Sequence, residues 1–267
     1  MVAIRRMLSG VAVFCLFFLP ALPPSPAGAV GNQQEVIGGY AGVVPLEWGQ
    51  EVTGVVTRFD PGEGKELALT FDACGGGVKG CGYDEELIEL LRKEGIPATL
   101  FINARWIDKY PSEFLALSQN PLFEIENHGM LHKPCSVNGR SIYGIKGTSG
   151  PAEIRSEVDG NAEKIRRLTG RRPRFYRSGT AYYDEKAVAV VERLGYNCVG
   201  FSVLGDKGAS YSRGQVKEAF LSARPGDIII AHMNHPEKET AEGVMDALEL
   251  LKKRGLRFVR LDEYSLR

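Results

Sequence analysis

Apolar, β-branched and aromatic residues gather in short runs from Lys65 onward: Glu66–Phe71, Ala98–Ile102, Leu122–Ile125, Arg174–Tyr176, Asn197–Ser202, Asp227–Ala231 and Arg257–Arg260. Runs this short, bounded by turn residues, read as strands. Between most of them the apolar positions return at helical spacing, most clearly in Asp84–Glu94, Pro151–Leu168, Asp184–Leu194 and Ala241–Arg254. Pro151 suits a first helical turn, and Gly95, Gly170, Gly195 and Gly255 stand just past helix ends. Regular alternation of strand and helix predicts a parallel sheet, either a (β/α) barrel or an open doubly wound sheet. Residues 30–64, rich in Gly, Val and Pro with weak periodicity, read as an N-terminal extension to a single domain over residues 65–267.

The start of the chain follows a different pattern. Arg5 and Arg6 precede an apolar run from Val11 to Leu22 and a small-residue stretch ending Ala27-Gly28-Ala29. This order describes a secretory signal peptide over residues 1–29 and places the protein outside the cytoplasm, secreted or in the periplasm or cell envelope. The run is shorter than the roughly 20 apolar residues a membrane span needs, so no stable membrane insertion is expected once the signal is removed. The chain carries 33 Lys and Arg against 33 Asp and Glu. That balance gives no footprint for nucleic acid or an anionic membrane surface, and a monomer is expected. Beyond the signal lie Cys74, Cys81, Cys135 and Cys198. In an oxidising compartment an even number favours disulfides, and Cys74 with Cys81 is the nearest pair.

Parallel α/β folds place chemistry where strands end. Asp72 follows the first strand, His128 the third, Arg177 the fourth and His232 the sixth, with Asp206 beyond the fifth. His128 and His132 stand four apart, so a helical turn there would let both grip one divalent cation. Asp72 closes an apolar run, where a carboxylate needs a cation or hydrogen-bond donors, and Arg177 is a candidate partner. His232 ends the buried run Ile228-Ile229-Ile230-Ala231, whereas His235 reads as a loop residue.

In order and spacing, Thr70-Phe71-Asp72, Asn127-His128 with His132, Arg177, Asp206 and Ile230-Ala231-His232 resemble the five motifs of the NodB-homology polysaccharide deacetylases, carbohydrate esterase family 4. The resemblance runs from about Lys65 to Tyr264. It implies a distorted (β/α) barrel of about seven parallel strands and a metal-dependent hydrolase that removes N-acetyl groups from amino-sugar polymers. It also implies a role for each residue: Asp72 as general base, Arg177 orienting it, His128 and His132 as ligands of a divalent metal, zinc above others. Asp206 would then hold the acid His232.

Three departures bear on these roles. Where the family usually has a second, metal-binding aspartate, this chain has Ala73, which leaves Asp84, Glu126 or a water as the third ligand. The same gap keeps open a rival reading, a catalytically impaired carbohydrate-binding paralogue. In the third motif Arg177-Ser178-Gly179-Thr180 lacks the family's prolines, and in the fourth Asp206 is followed by Lys207-Gly208 rather than tryptophan. Trp106, Tyr182 and Tyr183 are candidate stacking surfaces for sugar rings.

Overall fold

The structure, a computed structural model, describes residues 39, 40, 42–77 and 80–266. The signal-peptide reading of residues 1–29 lies outside the described residues. Among the described residues there are ten strands, β1 (Glu66–Ala73), β2 (Ala98–Ile102), β3 (Phe123–Asn127), β4 (Ser141–Ile142), β5 (Ile145–Lys146), β6 (Phe175–Tyr176), β7 (Asn197–Cys198), β8 (Val203–Leu204), β9 (Ile228–His232) and β10 (Arg257–Val259). Among the same residues seven helices of α type join them: α1 (Glu85–Lys93), α2 (Ala104–Lys109), α3 (Pro111–Gln119), α4 (Pro151–Thr169), α5 (Glu185–Arg193), α6 (Arg213–Leu221) and α7 (Thr240–Lys253).

Eight strands form one parallel sheet in the order β7-β6-β3-β2-β1-β9-β8, with β10 paired to the first residues of β1. Strands β4 and β5 form a separate small hairpin. The curled sheet with helices outside it is the distorted barrel expected from the sequence. All eight residues of β1 are buried, because both of its faces are covered. Leu67, Leu69, Phe71 and Ala73 face the helices, packed with Leu87, Leu91, Val244 and Leu251. By the twofold strand period, Ala68, Thr70 and Asp72 face the other way, into the barrel. There Ala68 meets Phe101, Phe175, Val199 and Ile228, side chains from other strands that fill the interior.

The run Asn197–Ser202 is not one strand. Only its first two residues are strand, β7, which pairs with β6, and β8 begins just past its end and pairs with β9, so that β7 and β8 stand at the two extremes of the sheet order. Only residues 199–202 separate them, so this stretch steps across the seam of the barrel. The extension helps to close that seam. Val56 N–H donates to Cys198 O at 2.9 Å, Gly200 N–H donates to Val56 O at 2.9 Å, and Phe59 N–H donates to Gly226 O at 2.9 Å.

Local chemistry sets the helix boundaries. Asp84, Asn103 and Asp184 accept a backbone N–H in the first turns of α1, α2 and α5. Gly170 ends α4 with φ of 75°, a left-handed conformation in which a side chain would be strained. Helices α2, α3 and α6 escaped the sequence reading. The first has six residues, and α6 buries only Val216 and Phe220, so neither yields a sustained period.

The Asp84 cap carries a cost. One carboxylate oxygen accepts Leu87 N–H at 3.0 Å, while the other is buried without a partner. Burial above all, with Glu86, Glu242 and Glu237 adding repulsion, pushes its pKa up to about 6 despite the Leu87 bond. A carboxyl whose folded pKa is raised stabilises the fold fully below its unfolded value and loses that contribution as pH rises through about 6. Asp84→Asn keeps the cap and removes the buried charge. It should stabilise the protein by roughly 1 kcal/mol at pH 7.5 and make no gain at pH 4, measured as the difference between variant and wild-type urea unfolding.

Candidate functional site

Asp72 sits at the mouth of the barrel because β1 holds its extended period to that point, pairing Asp72 with Phe101 on one side and His232 on the other. Arg177 follows β6 and is fully buried. Its guanidinium donates to Asp72 Oδ1 at 2.8 Å, Thr70 Oγ1 at 2.8 Å, Val199 O at 3.2 Å and Gly200 O at 2.7 Å, and lies 4.1 Å from the centre of the Phe101 ring. A buried charge is tolerable only with such a set of acceptors and a counter-ion.

His128 Nε2 lies 3.6 Å from Asp72 Oδ2. Its Nδ1 is 3.0 Å from the carbonyl of Arg177, which can only accept, so Nδ1 carries the proton and Nε2 presents a lone pair. Burial disfavours the imidazolium, but Asp72 and Cys74 outweigh it and raise the His128 pKa above its ordinary value.

The segment from His128 to His132 is a loop and not the helical turn expected for H-x-x-x-H. Gly129 and His132 have φ of 75° and 61°, and the two imidazole rings meet edge to face with centroids 4.8 Å apart. Fixed acceptors and donors around the loop hold it in this shape. Asn103 Nδ2 donates to the carbonyls of His128 and Gly129 at 3.0 and 2.7 Å. Asn127 Oδ1 accepts Gly129 N–H at 2.9 Å, and buried Glu157 accepts the N–H groups of Leu131 and Lys133 at 2.9 and 3.1 Å. On the far side Gly179 packs against the loop so closely that a Cβ there would lie 2.2 Å from the carbonyl carbon of His132.

The third functional group near these imidazoles is Cys74. Its Sγ is 2.9 Å from His132 Nε2 and 3.5 Å from His128 Nε2, and the three donor atoms lie within 4.8 Å of one another. Burial would hold its thiol protonated, but the three surrounding imidazoles, His132 first, bring its pKa well below the ordinary thiol value. The expected Cys74–Cys81 disulfide is therefore corrected: Cys74, Cys81, Cys135 and Cys198 are all free, and Cys74 turns into the site. Asp84 and Glu126 are corrected as metal-ligand candidates as well. Asp84 caps α1, and Glu126 accepts the N–H groups of Arg174 and Phe175 at 2.9 and 2.7 Å. The sequence did contain a signal for Cys74: it stands two residues after Asp72, the spacing that returns a strand's side chains to the same face.

Opposite this group stands His232, at the end of β9. Its Nδ1 is 2.8 Å from Asp206 Oδ1, and its backbone N–H donates to Asp206 Oδ2 at 2.7 Å. Thr240 Oγ1 also donates to Oδ2, at 3.2 Å. A carboxylate fixes Nδ1 as the protonated nitrogen and leaves Nε2 for the cavity. Burial opposes charge on His232, yet the Asp206 carboxylate prevails and holds its pKa well above the ordinary imidazole value. His235 instead pairs with Glu237 in its own loop, at 3.0 Å.

Asp72, His132 and His232 line one open cavity of about 450 Å³. Gly179, Thr180, Lys207 and Tyr143 form part of its rim. Of the expected stacking residues, Trp106 and Tyr183 are wholly buried, Trp106 donating to Gly82 O at 2.8 Å and Tyr183 to Val199 O at 3.2 Å. Both are packing residues. Tyr182 alone lies near the rim, with Tyr143 and Trp48 each 5.7 Å from its ring. Tyr143 was missed because the turn that presents it, in the β4–β5 hairpin, is too short to show a pattern.

The family model for polysaccharide deacetylases matches residues 60–199, just over half of the chain. The chain belongs to the polysaccharide deacetylase family. It is 25% identical over 232 residues to the peptidoglycan-N-acetylmuramic acid deacetylase of Bacillus subtilis (strain 168), covering 82% of this chain and 80% of that one. In fold it resembles a family 4 carbohydrate esterase pseudoenzyme from Bacillus anthracis, with a TM-score of 0.64, 18% identity, and 80% and 69% of the two chains covered. A family 4 acetyl xylan esterase from Clostridium thermocellum, solved in complex with a cobalt ion, gives a TM-score of 0.62 at 24% identity, covering 74% and 89%.

A methyl group at position 179 would press directly on the backbone of His132. Gly179→Ala should displace His132 and weaken zinc binding roughly tenfold or more while leaving the circular dichroism spectrum unchanged. Isothermal titration with zinc gives the answer, and an unaltered affinity would show that Gly179 does not position the imidazole.

Proposed function

We propose that this protein is a metal-dependent hydrolase that removes N-acetyl groups from an amino-sugar polymer of the cell envelope, peptidoglycan foremost. One observation carries the reading. Two carboxylate-bearing pairs, Asp72 with Arg177 and Asp206 with His232, flank a group of imidazole and thiol donors, and Asp72, His132 and His232 open onto one cavity. Hydrolysing an amide needs a base for water and an acid for the departing amine, and this arrangement supplies one of each. The likeness to a peptidoglycan-N-acetylmuramic acid deacetylase supports the polymer, and an envelope or extracellular location follows from it.

Borderline nitrogen and sulfur donors within 4.8 Å of one another fit a zinc-type cation, held by His128 and His132 beside Cys74. Such a cation supplies Lewis acidity toward the acetamide carbonyl and the attacking water. Asp72 takes the proton from that water. Arg177, bonded to Asp72 Oδ1, fixes the carboxylate and leaves Oδ2 directed at the His128 side. Protonated His232 donates from Nε2 to the amine nitrogen as the C–N bond breaks, and Asp206 holds the imidazolium that this step consumes. The products are acetate and a free amino sugar.

Ala73 and the likeness to a family pseudoenzyme favour a second reading, a protein that binds glycan without turnover. Acetate release from peptidoglycan and chito-oligosaccharide, measured with zinc and after chelation, separates the two. The hydrolase releases acetate only with metal, and Asp72→Asn lowers the rate by about 10³-fold while zinc still binds. Glycan binding without acetate release under any divalent metal would establish the second reading, and full activity in the Asp72→Asn protein would remove Asp72 from the role of base.

A further inference from the structure

We propose that Cys74 is the third protein ligand of the cation, its thiolate standing in for the carboxylate that Ala73 cannot provide, so that the site selects thiophilic zinc over magnesium or manganese. This rests on the reading of the cavity as a metal-dependent site.

Strand geometry removes Ala73 from contention. It remains in the β1 ladder, paired with Ile102, and its side chain is buried among the residues that face the helices. Cys74 is the first residue beyond the strand, and it returns to the side of Asp72.

The distances fit an ion. Zinc bonds of about 2.3 Å to sulfur and about 2.0–2.1 Å to nitrogen imply donor separations of roughly 3.3–3.6 Å around a tetrahedral centre. Cys74 Sγ and His128 Nε2 are 3.5 Å apart, Sγ and His132 Nε2 are 2.9 Å apart, and all three donor atoms lie within 4.8 Å of one another, a spread that side-chain rotations bring to the tetrahedral spacing. His128 already presents the correct nitrogen, its Nδ1 being committed to the Arg177 carbonyl. The other oxygen donors once in view are occupied elsewhere, Asp84 at a helix start and Glu126 on backbone N–H groups. With Cys81 also free, Cys74 has no disulfide to withhold it. On binding, the Sγ–H bond breaks, the Sγ–metal bond forms and the proton leaves to solvent.

Cobalt(II) loaded into the unaltered protein is the test. A thiolate ligand gives an intense sulfur-to-cobalt charge-transfer band in the near ultraviolet, which imidazole and carboxylate ligands do not. The band should appear at one cobalt per chain, vanish in Cys74→Ser and be displaced by zinc. Cys74→Ser should also bind zinc at least tenfold more weakly. Cys74→Asp should regain affinity without the band and bind manganese relatively better. A wild-type protein that binds cobalt stoichiometrically without the band overturns the proposal and leaves the deacetylase reading standing. Failure to bind any divalent ion overturns both. Because the deciding spectrum is taken on the wild type, a variant that does not fold cannot obscure it.

Discussion

The mouth of this barrel depends on a single buried guanidinium. Arg177 is fully enclosed, yet four of its five N–H groups meet acceptors on different parts of the sheet: Thr70 and Asp72 on β1, Val199 and Gly200 at the seam. The ring of Phe101 from β2 lies against its face. Its own backbone carbonyl takes the Nδ1 proton of His128. One residue thus fixes the carboxylate of the proposed base, the tautomer of a proposed metal ligand and the joint between the sheet's two ends. Removing one partner of such a pair costs ~3–5 kcal/mol, because the other charge is left buried and alone.

The same electrostatic logic divides the labour between two aspartates. Asp72 is matched to a permanent cation. Asp206 is matched to an imidazole, whose charge it creates by favouring the protonated form. Two carboxylates at the same end of the sheet therefore acquire opposite uses from their partners alone, one suited to receiving a proton and the other to keeping one available on His232.

Much of this was readable in the chain itself. The strands of the main sheet emerge from short apolar runs, and the residues at their ends, Asp72, His128, Arg177 and His232, gather at one end of the sheet because parallel strands carry their last residues to a common rim. What escaped notice depends on contacts distant in sequence. Cys74 looked like half of a disulfide because proximity in sequence is a poor guide to where a thiol points. The His128–His132 pair looked helical, whereas the loop is shaped by Asn103, Glu157 and Gly179, none of which belongs to its own segment. The step between β7 and β8 leaves no trace in the hydrophobic pattern, since each strand has only two residues, one buried and one exposed.

That step gives the segment before residue 60 an importance that family boundaries hide. Val56 and Phe59 occupy hydrogen-bonding positions along an incomplete closure, yet they precede the stretch by which the family is recognised. A fragment cut at that boundary would present open strand backbone to solvent, the kind of surface through which β-proteins adhere to one another.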